Sequence, residues 1–343
     1  MTKYLLVLLV LFQIPYRTDA QSLDFQNKLL PVPAHSRFTD PGYFVWCGSM
    51  IKGDDGAYYL FYSRWPTEKG FQGWVTDSEI ALAVSEKADG PYKPLKVILP
   101  RQQNESWDRD VTHNPTIHKF EGKYYLYYMG NYGNGEWWDH RNHQRIGVAV
   151  SDSPEGVWQR SDQPLIDVSA SKWDHLMTSN PAVCQRFDGT FMMVYKGVGD
   201  GKMPLGGKVL HGIATSTRPD GPFVKHPDPI FKKEGVQFPA EDPYIWTQDS
   251  TYYAIIKDQK GYFTGAGRSL CLFESVNGFD WRPALSPLVS TLDLVWKGGI
   301  IQHLEYLERP QLFIENGLPR ILFSAARQLD GQTFNVAIPI RQK

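Results

Sequence analysis

The chain has 343 residues, a formal net charge of −1, 42% hydrophobic residues and 14% aromatic residues. That length allows one large domain or two ordinary ones with a sizeable core. The balanced charge argues against a nucleic-acid partner or a charged disordered tail. The odd, sparse set Cys47, Cys184 and Cys271 argues against a disulfide framework.

Residues 1–20 come first in chain order. Lys3 precedes an apolar run over residues 4–14, and Thr18-Asp19-Ala20 resembles a small-residue cleavage site. This pattern reads as a signal peptide, too short for a membrane span. The mature protein is expected to be secreted or periplasmic, with no membrane span after signal removal. Residues 21–343 are expected to form one domain, and its oligomeric state is left open.

The rest of the chain repeats itself. "WDRDVTHNPTIHKFEGKYYLYYMGN" from Trp107 aligns without a gap on "WDHLMTSNPAVCQRFDGTFMMVYKG" from Trp173. "EDPYIWTQDSTYYAIIKD" continues the series at Pro243, and "ERPQLFIENGLPRILFSAAR" continues it at Pro310. "VWCGSMIKGDDGAYYLFYSRW" is its first member, with Ser49 in the proline's place. Each repeat offers an apolar strand, a turn rich in Gly, Asp or Asn, and a Tyr- and Phe-rich strand. A third strand follows ("IALAVS", "IGVAVS", "HGIATS", "LCLFES"), then a turn and a fourth strand. This predicts an all-β fold, a five-bladed β-propeller of four-stranded antiparallel blades. The last repeat runs short. Residues 23–38 are therefore expected to supply its outer strand and so remove an exposed edge.

In a propeller the first strands line the axis, so the residues before each anchor become neighbours at one mouth. They are Cys47-Gly48, His113-Asn114, Ser179-Asn180, Glu241-Asp242 and Glu308-Arg309. The second strands end at the same mouth and bring Arg64, Trp65, Asn131, Lys196, Lys257, Asp258 and Arg327. Glycosidic hydrolysis uses two carboxyl groups, one on each side of the bond. Crowding them in a partly dry pocket separates their pKa values and assigns their roles. Glu308, Asp242, Glu241 and Asp110 are the catalytic candidates. His113, Asn114, Asn180, Arg309, Arg64, Trp65, Lys196, Lys257, Arg327 and His303 are the substrate-binding candidates. Asp108 and Asp174, each after a Trp, read as structural. Residues 134–145, "NGEWWDHRNHQR", read as a loop over the pocket. Two or more unpaired cations among Arg64, Lys196, Lys257, Arg309 and Arg327 would favour an anionic substrate.

With its repeats, its "NPTIHKFEGKYYLYYMGN" blade opening, its "IGVAVSDSPEGVW" strand and its "EDP" anchor, the chain resembles the five-bladed propeller glycosidases. The nearest pattern is glycoside hydrolase family 43 and relatives such as family 117. That resemblance implies inverting catalysis with an Asp base at the first anchor, a tuning Asp at the second and a Glu acid at the third. Here Glu308 in "ERP" resembles the acid and Asp242 in "EDP" the tuning Asp. No residue matches the base by position, which leaves Asp110, Glu241 or a different mechanism. The expected function is a secreted exo-acting glycosidase on a plant or algal oligo- or polysaccharide. The alternatives are a glycoside phosphorylase and a non-catalytic carbohydrate-binding propeller. No cofactor is expected to be required, and the channel could hold a structural calcium ion.

Overall fold

A computed structural model describes residues 23–170 and 172–342; the signal-peptide reading of residues 1–20 lies outside them. Five four-stranded antiparallel sheets form the blades of a propeller. Blade one runs outward from the axis as Tyr43–Lys52, Tyr58–Pro66, Glu79–Ser85 and Lys93–Leu99. Blade two is Val111–Phe120, Lys123–Asn131, Arg145–Ser151 and Gln159–Arg160. Blade three is Met177–Gln185, Phe191–Val198, Val209–Ser216 and Val224–Lys225. Blade four is Ala240–Gln248, Thr251–Asp258, Ser269–Ser275 and Arg282–Ser290.

Blade five combines Tyr306–Glu315, Leu318–Arg327 and Thr333–Pro339 from the end of the chain with Arg37–Phe38 from its beginning. Arg37 pairs with Val336 and Phe38 with Asn335, while Leu29 bridges to Ile340. Residues 23–38 thus close the ring as expected. The outermost strand itself is only two residues long.

The middle strands are buried on both faces, which explains why they read as continuous apolar runs and not as alternating ones. Tyr62 packs towards blade five with Phe38 and Phe323, whereas its neighbour Phe61 packs towards blade two with Leu126 and Tyr128. Tyr127 and Tyr195 join blades two and three. Ile213 and Phe273 join blades three and four, and Ile255 and Phe334 join blades four and five. Burying such a side chain contributes roughly 1.5–3 kcal/mol, so the core is a set of wedges between blades.

The repeated Trp-Asp is a structural device. Trp107 stacks on Tyr128 and Trp173 on Tyr195, both at 5.7 Å between ring centroids. Asp108 accepts hydrogen bonds from the Tyr128 hydroxyl at 2.7 Å and Arg160 at 3.0 Å. Asp174 does the same for Tyr195 at 2.9 Å and Lys225 at 2.6 Å. Gly147 and Gly212 leave room for the indoles, since a Cβ there would meet Trp107 or Trp173 below 3 Å.

Candidate active site

Every inner strand carries a β-bulge near its start, where two residues oppose one on the next strand. The first bulged residue has a left-handed backbone in all five blades: Cys47, Asn114, Asn180, Asp242 and Arg309, with φ between 54° and 56°. Asn and Asp accept that conformation readily, while Cys and Arg must be held in it by their surroundings. The second is proline in four blades, where a missing N–H is tolerated. Blade one has Gly48. Its N–H donates to Asn335 Oδ1 at 3.1 Å, and a Cβ would lie 3.1 Å from Asn335 and Leu60 atoms.

This corrects the expected anchor of blade one. Gly48, not Ser49, takes the proline's place, so Cys47 is the counterpart of Asn114 and Trp46 that of His113. Ser49 instead ties blades together, donating to Gln311 at 3.0 Å and accepting from Ile117 N–H at 3.1 Å.

The bulge side chains form a hydrogen-bonded ring on the axis. Cys47 donates to Asn114 at 2.8 Å, Asn114 to Asn180 at 2.7 Å, and Asn180 to Asp242 at 2.5 Å. Arg309, buried with its side chain 2% exposed, donates to Asp242 at 3.4 Å and lies beside Cys47. Burial pushes the Cys47 thiol pKa far up, against the pull of Arg309. The Nε and Nη2 of Arg309 find no hydrogen-bond partner among the described residues.

One residue nearer the mouth lies a second ring: Trp46, His113, Ser179, Glu241 and Glu308. Glu241 accepts from Lys196 at 2.7 Å on one oxygen, and from Lys257 at 2.5 Å and Gln259 at 3.2 Å on the other. Lys257 also donates to Glu308 at 2.9 Å and lies 3.9 Å from Asp242. The register explains the cluster, because Lys257 is the cross-strand partner of Glu241, and Lys196 that of Ser179.

Environment separates the two glutamates. Burial alone would raise Glu241, but the Lys196 and Lys257 charges overcome it and hold its carboxyl well below the usual range. Glu308 is raised by burial, with Asp242 and Glu241 adding to the rise and Lys257 opposing it. Their side chains keep 17% and 12% exposure, so both meet the mouth. His113, bonded to Ser78 at 2.7 Å and stacked on Trp74 at 5.1 Å, is driven towards its neutral form by burial and by the Arg309 and Lys196 charges.

The other expected residues lie outside this cluster. Asp110 holds the Gly133 N–H at 3.0 Å and ion-pairs with Arg101 and Arg109 at 3.8 Å. Arg64 is paired with Asp40 at 2.8 Å and Glu79 at 2.9 Å. Trp65 is buried edge-on to His113. Arg327 pairs with Glu305 and covers Phe71. His303 is exposed on a side hairpin, bonded to Asp293 at 2.8 Å. Asp258 accepts the N–H groups of Tyr262, Phe263 and Thr264. Each of the five expected pocket cations therefore has a carboxylate partner. The surplus on which an anionic substrate would rest is missing among them.

Sequence reasoning missed Gln259 and Arg141, whereas His211, at the start of a third strand, reads as packing and is buried against Phe231. His211 is the cross-strand partner of Lys196, and burial lowers its pKa to about 3. Arg141 belongs to the loop at 134–145. That loop rests on the two blades beside its own, with Trp137 donating to Gln72 of blade one at 3.2 Å and Arg141 to Leu205 of blade three at 3.0 Å.

Calcium prefers six to eight oxygen ligands, several of them carboxylate. The axis offers one carboxylate, Asp242, already engaged by Asn180 and Arg309. No group of three metal-ligating His, Cys, Asp or Glu occurs among the described residues. The residues on the axis therefore do not fit that ion.

Residues 92–176 match the model of "Glycosyl hydrolases family 43". That stretch contains Asp110, His113 and Asn114 but neither glutamate of the mouth. A xylosidase/arabinosidase 43A of Humicola insolens is 27% identical over 188 residues, 55% of this chain and 46% of the relative. The chain thus spans about half the length of that protein. Among solved structures, one described as a glycoside hydrolase superposes with a TM-score of 0.66 at 16% identity, covering 94% of this chain and 92% of its own. A family 117 glycoside hydrolase of the marine bacterium Zobellia galactanivorans gives 0.62 at 19% identity, covering 91% and 89%. In fold over nearly its whole length, and in sequence over a part of it, the chain resembles the propeller glycoside hydrolases of family 43 and of relatives such as family 117.

Proposed function

We propose that the protein is a glycoside hydrolase that works with Glu308 as proton donor and Glu241 as the ionised carboxylate opposite it. The observation that carries this reading is the Lys257 ammonium shared by two carboxylates whose pKa values move in opposite directions. Pairs pushed apart by their environment are how acid and base roles are divided in glycosidases. Asp242 tunes the pair through Glu308, and Arg309 fixes Asp242. In this reading Arg309 supplies the positive charge on the axis and no metal is required. Lys196 and Lys257 are already neutralised by carboxylates, which favours water over phosphate as the acceptor.

The loop at 134–145 supports an exo mode, because it reaches the neighbouring blades one and three and brings the Arg141 charge within range of Glu241. The basic, apolar and small-residue pattern of residues 1–20 supports secretion. The names of the relatives make a xyloside or an arabinoside the first substrate to try, with plant and algal polysaccharides after it. Incubation with aryl pentosides and polysaccharides should release a single monosaccharide from the earliest times, without added phosphate or metal. A ladder of oligosaccharides would refute the exo mode. Release only with phosphate would point to a phosphorylase, and no release from any glycoside would end the enzymatic reading.

A further inference from the structure

Resting on that reading, we infer that the glycan it hydrolyses carries an anionic group, a uronate carboxylate or a sulfate, and that Arg141 binds this group. The cations expected at the mouth are each engaged by a carboxylate. Arg141 stands outside that set. Its Nη1 donates to Asn142 Oδ1 at 2.8 Å and to the Leu205 carbonyl at 3.0 Å, both neutral acceptors. Its Nε and Nη2 have no partner among the described residues and, unlike those of Arg309, reach solvent. That edge of a guanidinium presents two parallel N–H groups, which fit the oxygens of a carboxylate or sulfate bidentately.

The loop carries this edge to the site. Trp138 and Trp137 stand three and four residues before Arg141 in the short helix Trp137–Asn142, so the three share one face. His140 pins the helix to blade two through Asn131 at 3.0 Å, and Asn142 donates to the Pro204 carbonyl at 3.1 Å. Rings run without a break from the mouth ring to Arg141. His113 stacks on Trp74 at 5.1 Å, Trp74 meets Trp137 at 6.1 Å, and Trp137 meets Trp138 at 4.6 Å. The guanidinium carbon lies 5.7 Å from the Trp138 ring centroid. Burial lowers the Arg141 pKa and the Glu241 charge opposes that, so the two charges act on each other.

Anchoring the loop uses Nη1 alone, and the free edge adds nothing to the fold. Trp138 is 37% exposed beside it. An open indole next to an open guanidinium suits an acidic sugar, whose apolar ring face packs on the one while its acid group pairs with the other. Free phosphate would use the cation only.

The test is titration calorimetry in a Glu308→Gln background, so that no probe is consumed. Each acidic probe is paired with a neutral twin: a glucuronate-bearing xylo-oligosaccharide with its carboxyl-reduced form, an oligogalacturonate with its methyl ester, and a sulfated galactan oligosaccharide with its desulfated form. In at least one pair the acidic member should bind about 10–100-fold tighter, the range that charge-assisted hydrogen bonds supply. Added salt should shrink this preference. Arg141→Gln keeps a donor for the Leu205 carbonyl without the charge, and Arg141→Met keeps neither. Both should erase the preference, the Gln variant with its melting temperature unchanged. Equal affinities in every pair, no binding, or a preference that survives both substitutions overturns the inference. So does inorganic phosphate that binds through Arg141 more tightly than every acidic probe. In all these cases hydrolysis of neutral aryl pentosides by the wild type would leave the glycosidase reading intact, and only failure to hydrolyse any glycoside would end it.

Discussion

At the position just before the bulge, blades one and two place Trp46 and His113, whereas blades four and five place Glu241 and Glu308. The inner-strand backbone at the mouth is the same on both sides, a bulge whose first residue is left-handed. The surroundings are not. Trp46 and His113 lie among Trp65, Phe71 and Trp74, and burial keeps the imidazole neutral. The glutamates are bound to two lysines. A buried ion cluster of this kind is weak evidence for stability, because well-packed apolar residues often replace one at no loss. The repeat therefore fixes where a side chain arrives, and the charged half is understood through chemistry and not through folding.

The largest effect should come from Glu308. Glu308→Gln preserves shape and should lower kcat about 10²–10⁴-fold on a substrate with a poor leaving group. An aryl pentoside, whose leaving group needs little protonation, should lose much less. Equal losses on both substrates would show that Glu308 is not the proton donor and would dissolve the contrast between the two halves.

Lys257→Met should break the charged half from within. It leaves Glu241 with Lys196 and Gln259 and removes the Lys257 ammonium from Glu308, so a loss of about 3–5 kcal/mol is expected in denaturant unfolding. The sign of the pH effect follows from the same contact. Lys257 lowers the Glu308 pKa, so its removal lets that pKa rise further. The protonated acid then survives to higher pH, and the alkaline limb of kcat/KM should move up. A limb that stays in place would mean that another group sets it.

The repeats were legible because strands, turns and prolines recur at nearly constant spacing. The glutamates were legible because each stands two residues before a proline of the repeat. The slip at blade one has a physical origin: the Gly48 N–H is used by Asn335, 287 residues away, so no proline could mark the bulge. The same slip misplaced Arg64. The cross-strand partner of Trp46 is Ser63, and Arg64 turns to the other face, where Asp40 and Glu79 hold it. Arg327 is the cross-strand partner of Tyr306, two residues before Glu308, and is paired outside the cluster by Glu305. Gln259 was invisible because it lies in a loop of irregular backbone. That loop turns back over Glu241 only because Asp258 caps its N–H groups.

The two Trp-Asp staples offer a milder comparison within the scaffold. Asp174→Asn loses charge-assisted bonds to Tyr195 and Lys225, and should cost about 1–3 kcal/mol of stability. Its kcat should stay unchanged at a temperature where the fold is intact. Asp242→Asn alters the axial ring and the charge beside Glu308, and should lower kcat. If Asp174→Asn impaired turnover while the circular dichroism stayed native, blade three would belong to the site.

The smallest effect should come from the neutral half, at Cys47→Ser. The residue occupies the same ring position as Asp242 and the same left-handed backbone. Its side chain donates to Asn114 and lies beside Arg309. Burial pushes its thiol pKa far up, so no thiolate is available as nucleophile or metal ligand. A serine hydroxyl can donate to Asn114 in its place, and only the larger sulfur's packing is lost. The melting temperature should fall by a few degrees at most, corresponding to about 1 kcal/mol in a chain of this size. The ratio kcat/KM should remain within about twofold, since roughly 1.4 kcal/mol at the transition state is needed for tenfold. A tenfold loss with the fold intact would show that the hydrogen-bonded ring carries the state of blade one to Glu308, and the two halves could no longer be treated as scaffold and site.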